Sequence, residues 1–299
     1  MKIIDGTYII YLDTRPVLHL GTRLPLRIPA SKPNLATAIA LEWDNLDSAQ
    51  QALRAHFIPL TSIVARAIDI SAQDTSTRES LTITTTEISN LRSEIITSLL
   101  RYLDTDTLLC WAPPTSSDHP EKNLPSLRDL QIRIAKPIIA YLTQYIWPGV
   151  DLVPILDDAG SILPVPQPEE TRAVIRGWLA GLPAWELAGL ERAVLAGKSL
   201  CVGVRLVVEW SEVLRGRVEG EGEGEGEREG EGDGEGDGDG GKKNGSRQRF
   251  GIEQAAEACS SEVRWQTGRW GEVEDTHDVE KEDLRRQFGS VVLLVGGRS

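Results

Sequence analysis

The sequence predicts an α+β fold, a small N-terminal sheet-plus-helix module followed by a larger mainly α-helical domain. Three observations predict it. Up to residue 30, short apolar runs alternate with turn chemistry. Beyond Leu35, apolar residues recur every three or four positions in one segment after another. Hydrophobic residues make up 40% of the 299, enough to bury a core of that size.

Taken in order, Asp5-Gly6 precedes Tyr8 to Leu12, Asp13 to Pro16 forms a second turn, and Gly21 and Pro25 precede Leu26 to Ile28, so small antiparallel strands are expected. Ser31 is the candidate cap of an amphipathic helix covering the sheet, with Leu35, Ile39 and Trp43 at helical spacing. Pro59 to Ile70 follows as a helix, and another starts at Arg78 or Thr86 and ends at Leu103. Leu103 to Thr107 breaks the pattern with polar turn formers. Leu127 to Ile146 predicts a long helix kinked at Pro137. Trp147 to Pro168, rich in Pro, Gly and Asp, predicts extended loop. Three helices then cover Glu169 to Leu182, Pro183 to Leu195 and Lys198 to Leu214, with tight joints at Gly181-Leu182-Pro183 and Gly197 that favour antiparallel neighbours. Ile252 to Thr267 and Asp275 to Phe288 are helical, and Val291 to Val295 reads as a strand.

The formal net charge of -13 is unevenly placed. Between Glu219 and Gly241 stand eleven acids and one base, leaving the remainder at about -3. With no basic stripe, nucleic acid is excluded as a partner. Glycine alternating with like charges buries no apolar surface, so the tract is expected to be disordered. Asp233 to Asp239 resembles the start of a calcium loop, but Asn244 stands at its twelfth place where a bidentate Glu belongs. Asn244-Gly245-Ser246 matches a glycosylation acceptor without the secretory leader that would give it meaning. Cys110, Cys201 and Cys259 lie far apart in apolar surroundings and read as buried free thiols. No apolar run reaches the length of a membrane span. The chain opens without an Arg-rich amphipathic leader, which by itself points to the cytosol.

The densest polar cluster runs from Trp270 to Glu280. Glu272 or Glu274 offers a general base, and His277 with Asp278 half of a metal site. A catalytic metal needs about three protein ligands, and the four histidines, His19, His56, His119 and His277, are not paired at helical spacing. The same acids also suit the first turn of a helix, or an acidic patch that binds a partner. Phosphate loops of the Walker or dinucleotide type and nucleophile elbows are absent. Glu42, Trp43, Thr61 and Asp69 read as core and capping residues. Trp178, Trp185, Trp210, Trp265 and Trp270 crowd the C-terminal helices, as core or as anchors for an apolar partner.

Six blocks in order carry a family resemblance: Asp5-Gly6-Thr7-Tyr8 with Leu12 to Pro16; Ala38 to Trp43; Pro59 to Ser62; Arg101 to Leu109; Ala184 to Ala193; and Trp270 to Asp278. Together the chain resembles the chaperone family that assembles the alpha subunit into mitochondrial F-type ATP synthase. The resemblance implies an N-terminal domain at residues 1–53 and a helical domain at 54–299, interrupted by the acidic tract at 218–247. It implies no enzymatic activity, no cofactor, a location in the mitochondrial matrix, and the free alpha subunit as partner, shielded from aggregation and wrong pairing. The family's functional acid falls on Glu274, with Glu272 and Asp275 beside it and Trp270 and Asp278 flanking. Two features depart from the family: the missing leader and first strand, and the acidic tract between two helices. Alternatives from the residues are a hydrolase using Glu272 to Asp278 and a scaffold recruiting basic partners through the tract.

Overall fold

The computed structural model describes residues 1–79, 91–114, 126–155, 165–216, 249–271 and 277–297, and of residues 77–79, 270, 277 and 278 the backbone alone. The acidic tract, the calcium-like run and Asn244 lie outside the described residues.

β1 (Lys2–Ile4) and β2 (Thr7–Ile9) form an antiparallel hairpin closed by Asp5-Gly6. Both turn residues have positive φ, 49° and 69°, the requirement of a two-residue type I′ turn and the reason a glycine stands there. β5 (Ile28–Pro29) pairs antiparallel with the far side of β2, giving the order β1-β2-β5. β3 (Tyr11–Leu12) and β4 (Arg15–Pro16) make a second small ribbon. The buried face, Tyr8, Ile10, Val17, Leu26 and Ile28, rests on α1 (Pro33–Asp44) and the core behind it. The expected cap at Ser31 is not used: Lys32 occupies the N-cap without a side-chain bond. Its ammonium instead donates to Leu294 O (2.7 Å) and Gly296 O (3.0 Å), tying the module to the end of the last helix.

The rest is helical: α2 (Pro59–Glu79), α3 (Leu91–Leu103), α4 (Leu127–Tyr141), α5 (Glu169–Ala180), α6 (Ala184–Gly197), α7 (Leu200–Trp210), α8 (212–216), α9 (Ile252–Cys259), α10 (Ser261–Trp270) and α11 (His277–Val295). α6 and α7 form the centre, with α2, α9 and α11 packed around α6 and α3 and α4 against α7. The strands and helices share one continuous apolar cluster from Tyr8 to Val295.

Further sequence expectations change. Val291 to Val295 is the last part of α11, not a strand. Val291, Leu294 and Val295 fall on one helical face and bury against α6, and that packing overrides the β-propensity of valine. The segment from Ile252 is two helices, broken where Ser260 leaves helical geometry (φ -112°, ψ 18°) and its hydroxyl donates back to Ala256 O. The long helix ends in a π turn, Leu142–Ile146, in which Trp147 N reaches Leu142 O. α5 packs on α3, and its corner at Gly181-Leu182-Pro183 turns α6 into the core against α2.

Gly197 has a different purpose from the one its place suggests. The left-handed residue ending α6 is Lys198 (φ 54°). A Cβ on Gly197 would fall 2.6 Å from Cys259 Sγ and 2.9 Å from Phe288, so the glycine permits α9 and α11 to close on α6.

Candidate functional site

Of the residues singled out by sequence, Glu272, Glu274 and Asp275 lie outside the described residues. Trp270 ends α10 and Asp278 stands in the first turn of α11, each with backbone alone described. The acidic block therefore joins two helices whose neighbouring residues, Thr267 on α10 and Val279 on α11, line the same groove.

That groove has a volume of about 1370 Å³ and is walled by α2, α6, α9, α10 and α11, with the turn at residues 19–21 over one edge. Four apolar side chains open into it although packing leaves them solvent-accessible: Leu20 (51% exposed), Leu195 (44%), Val263 (38%) and Val279 (65%). None was a candidate in the sequence. Val263 and Val279 each stand between charged residues, Glu262 and Arg264 or Asp278 and Glu280, as inward-facing residues of an amphipathic helix also do. The sequence therefore held no signal that set them apart.

Most of the groove's charges neutralise one another. Arg66 on α2 holds Glu191 on α6 through two bonds of 2.8 and 2.7 Å, and this pairing raises the arginine's pKa. Arg285 on α11 reaches Glu253 on α9 at 2.6 Å, and Arg264 pairs with Glu257. Arg192 differs: its guanidinium donates to Gln287 Oε1 (3.1 Å) and, among the described residues, meets no carboxylate. Loss of hydration lowers its pKa.

The turn over the groove is held by His19, which is buried. Its Nδ1 accepts from Gly21 N and Thr22 N, both at 3.1 Å, so Nε2 carries the proton and faces Ala65 O (3.2 Å) and Asp69 (3.1 Å). The other polar residues of the quoted blocks are structural. Glu42 accepts from Leu60 N (2.6 Å), Thr61 N (2.9 Å) and Thr61 Oγ1 (2.6 Å), capping the start of α2, and Trp43 Nε1 donates to the same hydroxyl. Burial nevertheless pushes the Glu42 carboxyl up. Asp106, fully buried, accepts from Leu108 N and Cys201 N and so caps α7, its pKa also raised by burial. Glu186 accepts from Ser211. The cysteines are free; Cys201 is buried, Cys110 and Cys259 partly so, and desolvation raises all three thiols out of the reactive range.

Of the five tryptophans, the four with described side chains are half-buried. Trp178 meets Trp147 edge-on and Trp210 donates to Phe250 O, so these two belong to the packing. Among the described residues no group of three His, Cys, Asp or Glu is placed to hold a metal ion, and no helix is long and apolar enough to cross a membrane.

The chain is similar to known proteins along most of its length. The family model described as ATP12 chaperone protein matches residues 2–143. The mitochondrial protein atp12 of Schizosaccharomyces pombe is 30% identical over 293 residues, 98% of this chain and 78% of that protein. The mitochondrial protein ATP12 of Saccharomyces cerevisiae is 29% identical over 264 residues, 88% of this chain and 71% of that one. In fold, the crystal structure of Atp12 from Paracoccus denitrificans superposes with a TM-score of 0.58 at 20% identity, covering 97% of this chain and 91% of the other. A putative chaperone from Agrobacterium tumefaciens gives 0.58 at 18%, covering 98% and 81%.

Proposed function

The chain belongs to the ATP12 chaperone family, whose members serve F1-ATPase assembly, and from that premise we propose that it holds the unassembled alpha subunit until beta arrives. The observation that carries this reading is a 30% identity running through 98% of the chain, so that both the strand module and the helical region are shared. In mechanism the chaperone masks the client's subunit interface reversibly, without a catalytic step. Apolar contact provides most of the affinity, and charges around it set register and speed of encounter. The acidic block supplies those charges: Glu274 foremost, with Glu272, Asp275 and Asp278 beside it and Trp270 as an apolar anchor. An open groove with an apolar lining inside a charged margin supports such a role. Both yeast relatives are named mitochondrial, and the matrix is the compartment in which we place this chain.

The test is capture of purified alpha and beta subunits, separately, by the protein and by its Glu274→Lys variant, with circular dichroism confirming that the variant folds. Capture of alpha alone, weakened by the charge reversal, is expected. Equal capture of both subunits, or of neither, would contradict the reading.

A further inference from the structure

We propose that the groove between α6, α10 and α11 is the seat of one amphipathic helix of the client, docked by its apolar face and oriented by a carboxylate that pairs with Arg192. The proposal rests on the chaperone reading and adds to it the surface used and the chemistry of the segment bound.

Arg192 is the first reason. A guanidinium has five N–H donors and matches a carboxylate with two of them. On the same walls Arg66, Arg285 and Arg264 each hold a carboxylate, whereas half-buried Arg192 has, among the described residues, only the neutral Gln287 oxygen. Glu191 and Asp283 act on it through space without forming a pair. A cation partly stripped of water and left with one weak acceptor gains most from an incoming anion.

The second reason is apolar. Leu195 lies one turn beyond Arg192 on α6, and Val263 and Val279 open into the groove from α10 and α11. An ion alone would gain nothing from these side chains, so the occupant carries an acidic group on an apolar face. Side chains left open in one groove offer an apolar face of a partner somewhere to bury.

The walls decide the conformation. They are helices whose backbone bonds are internal, and the one turn among them spends the N–H groups of Gly21 and Thr22 on His19. An extended peptide would find no free edge to pair with and would bury unsatisfied backbone groups, whereas a helix satisfies its own.

The experiment uses the full chain and purified alpha subunit. A photoreactive benzophenone side chain is placed at Leu195, at Val279, or at Leu53 as an exposed control off the groove, and the crosslinked client peptide is identified by mass spectrometry. In parallel, affinity is measured for Arg192→Glu and Arg192→Lys, with circular dichroism and melting to check folding. We expect crosslinks from Leu195 and Val279 into one client segment with apolar residues at helical spacing and an Asp or Glu among them. Affinity should fall about tenfold or more for Arg192→Glu and less for Arg192→Lys. If the wild type captures alpha while Leu195 and Val279 crosslink no better than Leu53, the groove assignment falls and the chaperone reading stands. Unchanged affinity of a folded Arg192→Glu overturns the carboxylate pairing. Failure of the wild type to capture alpha overturns both.

Discussion

The centre of the helical region and the N-terminal strands differ sharply in what holds them. Leu187, Leu190, Val194, Leu200, Val204 and Val207 on α6 and α7 are entirely buried and surrounded by other helices. β1, in contrast, exposes all three of its residues and, among the described residues, pairs with β2 alone. The strands hold their place through their single buried face and a few polar ties: Lys32 to the end of α11, Glu42 to the start of α2, His19 to the turn. Stability is thus concentrated behind the groove, and the elements at its margin are attached by contacts that can be removed one at a time.

Substitutions graded across these two regions sharpen that contrast. Leu190→Ala, at the meeting of α6 with α7, should have the largest effect, about 2–5 kcal/mol, read as a lower urea midpoint at unchanged slope. Glu42→Ala should cost about 0.5–2 kcal/mol, because the first-turn N–H groups of Leu60 and Thr61 lose their acceptor. Glu42 also predicts a pH dependence. Its folded pKa is raised, so the folded state keeps the proton to higher pH than the unfolded chain, and its contribution declines as pH rises from the ordinary glutamate value through the raised one. Glu42→Gln should flatten that part of the stability profile.

His19→Ala should cost less, about 1 kcal/mol, with faster hydrogen exchange confined to residues 19–24 as its signature. Ile3→Lys, on the exposed edge, should stay within about 0.5 kcal/mol. A large loss from Ile3→Lys, or a small one from Leu190→Ala, would break the comparison.

The sequence made the strand module and the existence of most helices legible because turn chemistry and apolar period are local signals. Asp5-Gly6 announced its hairpin, and Ile95 and Leu99 announced the buried face of α3. Where local and tertiary preferences disagree, the reading failed: the valines of residues 291–295 look like a strand until α6 is there to pack on. The candidate site was legible only in part. A block of acids stands out in a linear pattern, whereas Arg192 and Leu195 look like any charged and apolar residues of an amphipathic helix. Their meaning depends on which carboxylates the fold brings to the neighbouring arginines, and no spacing records that.

Aggregation of isolated alpha subunit, followed by light scattering with and without an equimolar amount of this protein, tests the central claim most directly when purified beta is then added. Scattering should be suppressed, and beta should release the chaperone as alpha–beta contacts form. Scattering unchanged by the protein, or a chaperone–alpha complex that beta cannot displace, would contradict it.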